Sequence, residues 1–503
     1  MSAASGEGAT AAGAQVPRPP TPGQASVSPS SAVSAAAGSV VVGIDSSTQS
    51  CKVVAVDLFT GAQVSTGSAA HPDGTAVDPG VWTVALGDAW AAAGIDALGG
   101  RVAGVSVAAQ QHGMVAVDSA GEPVHDALLW NDVRSADDAA AMVADFGAKA
   151  WVEAVNVVPV ASFTLSKLAW LARSEPNAAA RLHTVGLPHD WLNRQLTGTW
   201  STDRSDASGT AYFDPVANTY RPHLLKEYFG SVPALPEVLA PNASAGQLLP
   251  RWGASSAVVG AGMGDNAGAA LGLELAPGEV AVSIGTSGTV FAVSEEPVQD
   301  ASGQLAGFAD ATGRHLPLLA TINAARVMAA GAAMLNVDLA EFDRLALAAA
   351  PDAGGLTLLP YLDGERTPNL PDATGTLTGM TRANMTPENL ARASVLAVLN
   401  SLADALAGLH SFGVPVERVL LIGGGSKSRA LREAAATVFG VPVDVPEQRE
   451  YVALGAARQA AWAATGELPV WGRRIEESFM PDGGWGATVR GRYSSARRTV
   501  YGV

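Results

Sequence analysis

The stretch VVVGIDSSTQSCKVVAV, residues 40–56, decides how this chain folds. The nearly continuous apolar run at 40–44 is typical of a buried strand, because strands covered on both faces need no polar alternation. Residues 45–50 are polar and predict a turn, and residues 52–56 predict a second apolar strand. The stretch therefore predicts a buried hairpin with a polar tip.

The same pattern returns 240 positions later. Residues 280–284 predict another buried strand, Gly285-Thr286-Ser287-Gly288 a small polar turn, and residues 289–293 the returning strand, with Ile284 in the place of Ile44. Two such units half a chain apart predict two similar domains whose hairpin turns face a shared cleft. Chance recurrence of a Val-rich hairpin is the alternative explanation.

Length and composition agree with two domains. The chain has 503 residues, 48% hydrophobic and 16% charged, and single cores stop growing near ~250–300 residues. Strand-like runs such as 102–107 alternate with Ala-rich helical stretches such as 136–146, which favours an α/β fold. The predicted divisions are a disordered Ala/Gly/Ser/Pro tail at 1–38, an N-terminal domain at 39–276, a C-terminal domain at 277–482 and a C-terminal tail at 483–503.

Charge and cysteine content exclude several classes of protein. The net charge is −16 and the pI about 4.9, which argues against a nucleic-acid or anionic-membrane partner because both need a basic face. A single cysteine, Cys51, allows no intrachain disulfide and no Cys-rich metal site. The first 38 residues lack the charge and apolar core of a signal peptide. We therefore expect a cytoplasmic protein without a membrane span.

Two familiar nucleotide-binding fingerprints are absent. Gly423-Gly424-Gly425-Ser426-Lys427-Ser428 does not fit the Walker A pattern, and Gly260-Ala261-Gly262-Met263-Gly264-Asp265 does not fit G-x-G-x-x-G. The turns instead offer hydroxyls and backbone N–H groups that suit phosphate oxygens, at Ser46-Ser47-Thr48 and at 285–288. The Gly423-Gly424-Gly425 loop, after the strand-like run 418–422, would let a purine and ribose lie against the chain. A purely structural role is the alternative for each turn.

Two aspartates stand where such turns need charge. Asp45 ends the first strand, where the repeat has Gly285, and a lone carboxylate beside a phosphate turn suits a hydrated Mg²⁺. Its alternative role is to accept N–H bonds within the turn. Asp265 lies between the strand-like run 257–262 and a helix that starts near Asn266. It could accept a hydroxyl proton during phosphoryl transfer, and a helix N-cap is its alternative role.

Polar side chains follow three further apolar runs. These are Gln110-Gln111-His112, Trp130-Asn131-Asp132 and the stretch 361–368. Clustered amide, imidazole, indole and carboxylate groups suit a sugar or polyol, whose hydroxyls need both donors and acceptors. A place in the core is the alternative for His112 and Trp130.

Taken in order, these motifs resemble the FGGY carbohydrate kinases. The motifs are Gly43-Ile44-Asp45, Gln111-His112-Gly113, Trp130-Asn131-Asp132, Gly264-Asp265-Asn266, Gly285-Thr286-Ser287-Gly288, Gly364-Glu365-Arg366-Thr367-Pro368 and Gly423-Gly424-Gly425. The resemblance covers roughly residues 39–482. It implies an α/β fold of two ribonuclease-H-like (actin-like ATPase) domains that close on ATP, Mg²⁺ and a sugar, with a homodimer as the expected assembly.

The resemblance also implies an activity and roles for residues. The activity is ATP-dependent phosphorylation of D-xylulose on O5; the alternatives are another sugar or polyol (ribulose, gluconate or glycerol) and a non-catalytic actin-like ATP sensor. The N-terminal domain would bind the sugar and the C-terminal domain ATP. The implied catalytic residues are Asp265 as the base and Asp45 near the metal, which it would hold directly or through water. The implied substrate-binding residues are Gln111, His112, Trp130 and Asn266, and the implied ATP-binding residues are Thr48, Gly285, Thr286, Gly424 and Gly425. Many family members that act on xylulose have Met where this chain has Gln111.

Overall fold

A computed structural model describes residues 38–254 and 256–503, built around two seven-stranded mixed sheets. Both hairpins predicted from the sequence lie at the centre of a sheet. The predicted α/β fold with two ribonuclease-H-like lobes is confirmed. The predicted tail at 1–38 lies, except for Gly38, outside the described residues.

In the N-terminal sheet the strand Val40–Ser46 is the centre, and all seven of its residues are buried. It pairs antiparallel with Ser50–Asp57 and parallel with Val102–Ala109. Full burial explains why its sequence is a continuous apolar run rather than an alternation. The strands of this sheet are Val40–Ser46, Ser50–Asp57, Gln63–Ala70, Val102–Ala109, Ser244–Gln247, Val258–Gly260 and Met263–Gly264.

The C-terminal sheet repeats this arrangement. Glu279–Ile284 pairs antiparallel with Gly288–Ala292 and parallel with Arg418–Ile422. The shared pairing pattern supports the internal repeat rather than a chance recurrence. The strands of this sheet are Glu279–Ile284, Gly288–Ala292, Leu305–Ala309, His315–Thr321, Arg418–Ile422, Val443–Pro446 and Ile475–Phe479.

Helices and short strand pairs cover the two sheets. The α-helices are Gly80–Ala92, Ala136–Phe146, Ala148–Val155, Thr164–Ser174, Pro176–Ala179, Pro188–Thr197, Arg204–Ala207, Pro222–Tyr228, Asp265–Gly272, Ala325–Leu335, Leu339–Ala348, Pro387–Ser411, Arg429–Phe439, Tyr451–Thr465 and Trp485–Tyr501. The 3₁₀-helices are Ile95–Arg101, Pro250–Trp252, Ala353–Gly355 and Gly424–Lys427. The two-stranded sheets pair Ala76–Val77 with Ala127–Leu128, Val115–Val117 with Thr184–Gly186, Ser201–Asp203 with Glu237–Leu239, Phe213–Asp214 with Thr219–Tyr220, and Thr357–Leu359 with Thr376–Thr378.

The helix Tyr451–Thr465 packs against the N-terminal sheet, although it lies within the predicted C-terminal domain. Glycines allow this close approach. A Cβ on Gly43 would lie 1.8 Å from the Ala453 carbonyl oxygen, and one on Gly455 would lie 1.9 Å from the Gly268 carbonyl oxygen. The two halves of the chain therefore share a hydrophobic core across the 276/277 division.

Residues 483–503 differ from the expected tail, because they form the helix Trp485–Tyr501. Tyr493 on this helix is fully buried, and its hydroxyl lies 3.0 Å from that of Tyr361. Burial of an aromatic ring with a paired hydroxyl stabilises the docked helix. Because the segment is rich in Arg and Ser, its sequence did not predict a docked helix.

One helix among the described residues, Pro387–Ser411, has the length and composition to cross a membrane. Its most apolar window is 83% buried inside the fold. That position is typical of a core helix, and the helix packs between Leu339–Ala348 and Arg429–Phe439.

Candidate active site

A cleft of about 670 Å³ lies between the two sheets, and both hairpin turns line it, as predicted. Thr48 comes from the first turn, and Gly285 and Thr286 from the second. Gln111, His112, Trp130, Asp265 and Asn266 line the same cleft. The structure therefore gathers eight of the eleven predicted site residues around one space.

The second turn is held firmly by its neighbours. The Gly285 N–H donates to the Ser287 carbonyl at 2.9 Å, and the Ala325 N–H donates to the Gly285 carbonyl at 3.0 Å. Ala325 is the first residue of the helix Ala325–Leu335, so the turn and the helix start are fixed together. A rigid turn of small residues that faces a cleft has the form of a phosphate-binding loop.

The glycine loop Gly423-Gly424-Gly425 packs against the second hairpin. A Cβ on Gly425 would lie 2.3 Å from Ile284 Cγ2, and a Cβ on Gly423 would lie 2.7 Å from the Ile284 carbonyl oxygen. Gly424 is exposed, with open space where its Cβ would be. Neither Gly424 nor Gly425 lines the cleft described above. Close packing on Ile284 accounts for Gly423 and Gly425, and the ATP-binding role of Gly424 and Gly425 stays a prediction.

Asp265 is the first residue of the helix Asp265–Gly272, and the N-cap position belongs to Gly264. Its Oδ1 accepts from the Asn266 backbone N–H at 2.8 Å and from Asn266 Nδ2 at 2.9 Å. No described residue donates to its Oδ2, and the side chain lines the cleft. Burial raises the pKa of Asp265 to about 7, and the nearby charge of Asp45 adds to this effect. One carboxylate oxygen is thus held in place while the other is free to accept a proton.

Asp45 is the second-last residue of the central strand and lies below the surface, 4% exposed. Burial raises its pKa to about 7, Lys52 lowers it and Glu450 raises it. Its Oδ1 is buried without a hydrogen-bond partner among the described residues. An unsatisfied buried carboxylate oxygen is costly. Asp45 does not itself line the cleft, so its contact with a metal stays a prediction.

Gln111 and Asn266 bind each other across the cleft floor. Asn266 Nδ2 donates to Gln111 Oε1 at 2.8 Å, and Gln111 Nε2 is buried without a partner. Gly264 makes room for this amide, because a Cβ there would lie 2.5 Å from Gln111 Nε2. The free Nε2 is a hydrogen-bond donor suited to a hydroxyl or carbonyl oxygen of a sugar.

His112 has an unusual backbone conformation, with φ at +67°. Its ring packs between Phe163 and Phe308 at centroid distances of 5.2 and 4.9 Å, and its Nδ1 is buried without a hydrogen-bond partner. Burial, and after it the charge of Arg366, lowers the pKa of His112 to about 3. The ring is therefore neutral and can both donate and accept, as sugar hydroxyls require.

A buried network that the sequence analysis missed holds this backbone in place. The His112 N–H donates to Asp206 Oδ1 at 3.2 Å, and Asp206 Oδ2 lies 2.8 Å from His189 Nδ1. Burial lowers the pKa of His189, but the charges of Asp190, Asp206 and Asp203 outweigh it and raise the pKa to about 9. His112 and Asp206 are 94 residues apart in sequence, and His189 and Asp206 are 17 apart, so no local sequence pattern signals this network.

Trp130 is 37% exposed, so it is not a core residue. Its Nε1 donates to Thr48 Oγ1 at 2.9 Å, which ties the indole to the first hairpin turn. The exposed ring forms a wall of the cleft beside Asn131. An apolar ring with its polar atom satisfied suits the carbon face of a sugar.

The comparisons with known proteins agree with this geometry. The model of the N-terminal domain of the FGGY family of carbohydrate kinases matches residues 40–272, and the model of its C-terminal domain matches residues 280–464. This chain belongs to the FGGY family of carbohydrate kinases. The predicted family is confirmed.

Within the family, this FGGY kinase is similar to xylulose kinases, both in sequence and in structure. It is 45% identical to xylulose kinase of Streptomyces coelicolor over 444 residues, 86% of this chain and 90% of the relative. It is 44% identical to xylulose kinase of Streptomyces rubiginosus over 462 residues, 89% of this chain and 93% of the relative. The crystal structure of xylulose kinase from Bifidobacterium adolescentis superposes with a TM-score of 0.83 at 42% identity, covering 91% of this chain and 99% of that one.

Proposed function

We propose that this FGGY kinase transfers the γ-phosphoryl group of ATP to O5 of D-xylulose. In this reaction O5 forms a bond to the γ-phosphorus, and the bond from that phosphorus to the bridging oxygen breaks. The electron pair leaves with ADP, and the hydroxyl proton goes to Oδ2 of Asp265. The observation that carries the proposal is that this free carboxylate oxygen faces a cleft lined by both hairpin turns.

The protonation state of Asp265 suits this step. Its raised pKa, about 7, lies near the working pH, where a carboxylate is still ionised in part and accepts a proton well. The Asn266 bonds to Oδ1 fix the direction of Oδ2, so no side-chain rotation is needed as the hydroxyl attacks. A loose transition state needs alignment more than a strong base.

The N-terminal side of the cleft would bind the sugar. Around Asp265 this side offers a neutral imidazole from His112, an indole face from Trp130, and two amides from Gln111 and Asn266. The identities of 45% and 44% with two xylulose kinases support D-xylulose as the substrate. The unpartnered Gln111 Nε2 adds a donor that a Met would not have, and this favours testing other polyhydroxy substrates too.

The C-terminal side would bind ATP, with Mg²⁺ beside Asp45. Thr48, Gly285 and Thr286 would contact the phosphates, and Gly424 and Gly425 the nucleoside. The orphaned Oδ1 of Asp45 fits the metal, and no group of three or more His, Cys, Asp or Glu among the described residues could hold an ion alone. That donor set fits Mg²⁺, which keeps several waters and binds through one or two carboxylates and substrate phosphates. Bound there, Mg²⁺ would neutralise charge on the triphosphate.

A panel of substrates tests the proposal. An ADP-release assay, with ATP and Mg²⁺ present throughout, gives kcat/KM for each of four substrates: D-xylulose, D-ribulose, D-gluconate and glycerol. We expect D-xylulose to exceed the others, and ADP release to depend on the sugar. Higher kcat/KM for another substrate would move the assignment within the family, and sugar-independent ATP consumption would indicate an ATP-binding sensor instead. Cytoplasmic localisation and a homodimer stay predictions.

A further inference from the structure

Three cationic side chains line the cleft among the described residues: Lys52, Arg326 and Arg366. Lys52 Nζ lies 2.6 Å from Glu450 Oε2, and Arg326 Nη1 lies 2.7 Å from Asp363 Oδ2. Arg366 makes no side-chain hydrogen bond or ion pair with any described residue. One of the three positive charges in the cleft is thus left without a protein counter-charge.

Arg366 is half-buried, and the three buried arginines of the described residues do not share its lack of a partner. Burial lowers the pKa of Arg204, Arg392 and Arg458, and a carboxylate opposes the effect in each case. Burial also lowers the pKa of Arg366, and no carboxylate opposes it. Because a guanidinium that loses part of its hydration gains nothing in return without a partner, half-buried Arg366 is placed for an anion that arrives from outside the chain.

The adjacent carboxylate of Glu365 forms no ion pair with the guanidinium, because its oxygens bind other groups. Glu365 Oε1 accepts from the Ile322 N–H at 2.7 Å and from the Arg366 N–H at 2.8 Å, and Glu365 Oε2 accepts from Asn323 Nδ2 at 3.1 Å. Thr367 Oγ1 donates to the Ala320 carbonyl at 2.9 Å. These bonds pin the loop to the end of the strand His315–Thr321 and leave the guanidinium alone in the cleft.

Arg366 lines the same cleft as His112 and Asp265, so it shares this space with the predicted sugar-binding residues. D-Xylulose carries no charge, so the anion that Arg366 would meet beside the sugar is the phosphoryl group that ATP transfers. We propose that Arg366 binds the non-bridging oxygens of the phosphoryl group in the transition state and in the sugar-phosphate product. This inference rests on the proposed function. The guanidinium keeps its protons and donates through its planar fork, which matches phosphate oxygens in pairs.

The test compares Arg366→Gln, which loses the charge, with Arg366→Lys, which keeps the charge and loses the fork. Arg326→Gln is the matched control, because it removes a cleft cation that already has a partner. Dissociation constants for D-xylulose and D-xylulose 5-phosphate are measured by titration calorimetry, and kcat and KM by ADP release. For Arg366→Gln we expect the product dissociation constant to rise roughly 10- to 100-fold and kcat to fall at least about 100-fold.

For Arg366→Gln, the dissociation constant for D-xylulose should stay within about threefold of the wild-type value. Arg366→Lys should recover part of the affinity for the product that Arg366→Gln loses. Arg326→Gln should change product affinity less than about threefold. An equal loss of affinity for D-xylulose and its 5-phosphate would overturn the proposal, since Arg366 would then bind the neutral sugar. Unchanged product affinity in Arg366→Gln would also overturn it.

Inorganic phosphate separates this inference from the proposed function, because its binding needs no sugar. Weaker phosphate binding by Arg366→Gln than by the wild type supports the anion site, whatever the substrate is. If the wild type at the same time does not phosphorylate D-xylulose, the substrate assignment alone is refuted. Thermal melting reports on folding: because Arg366→Gln removes a half-buried charge that has no partner, the variant should melt no lower than the wild type. Equal phosphate affinity in both proteins contradicts the role of Arg366.

Discussion

Replacement of Asp265 by Asn tests the role of its free oxygen. The amide is nearly isosteric, and its carbonyl oxygen can keep the bond from the Asn266 N–H that Oδ1 accepts at 2.8 Å. The amide nitrogen then takes the place of Oδ2, so a donor meets the incoming hydroxyl where an acceptor was. The variant should fold, because the change also removes a carboxylate whose burial is unfavourable.

The magnitude follows from loss of the whole proton-accepting function. General bases accelerate reactions by about 10²- to 10⁴-fold. Because the amide also replaces a hydrogen-bond acceptor by a donor, we expect the upper part of this range, a fall in kcat of about 10³- to 10⁴-fold. At about 1.4 kcal/mol per decade this is about 4 to 5.5 kcal/mol of transition-state stabilisation. Affinity for ATP should change less than about threefold, because Asp265 lies on the N-terminal side of the cleft, which we propose binds the sugar.

The assay is sugar-dependent ADP release by a coupled reaction, with ATP affinity from calorimetry. Asp88→Asn is the matched control, since Asp88 is exposed on the helix Gly80–Ala92 and does not line the cleft. The control should keep wild-type turnover. Near-normal turnover by Asp265→Asn would refute the assignment of the base, and a loss of ATP affinity equal to the loss of kcat would indicate a role in nucleotide binding instead.

Three other predictions concern titration and packing. Because Asp265 must be ionised and its pKa is raised to about 7, kcat/KM for the sugar should rise with pH and level off above about 7; a plateau reached by pH 5 would contradict this. The pKa of Asp45 is raised from 3.8 to about 7 in the folded state, so ionisation of this side chain opposes folding. The free energy of unfolding should therefore fall as the pH rises from about 4 to about 7. Asp45→Asn should then be more stable than the wild type at pH 8 in metal-free buffer, by up to about 4 kcal/mol, with no gain at pH 4 in denaturant titrations. Gly209→Ala should lower kcat/KM for the sugar roughly 100-fold, because the new Cβ would lie 1.6 Å from His112 Nδ1, whereas Gly87→Ala meets open space and should leave it unchanged.

The sequence predicted the parts of the site that are local. The strand–turn–strand units, the helix at Ala136–Phe146 and the position of Asp265 at a helix start all follow from patterns of neighbouring residues. The hairpin turns meet at one cleft because each follows the central strand of its sheet. Local pattern therefore sufficed for the architecture.

The parts that were missed depend on tertiary contacts. His112 has a positive φ and its N–H donates to Asp206, 94 residues away in sequence, and no residue type at 112 signals this. The helix Tyr451–Thr465 crosses to the N-terminal sheet because glycines there permit close packing, which only the folded partners reveal. The lack of a partner for Arg366 likewise depends on where Glu365 points.

The most direct test of the account is a crystal structure of the complex with D-xylulose and a non-hydrolysable ATP analogue. The account predicts O5 of the sugar within about 2.6–3.2 Å of Asp265 Oδ2, and the γ-phosphate on the opposite side of O5. A sugar bound with O5 directed away from Asp265, or a nucleotide bound outside the cleft between the hairpin turns, would contradict it.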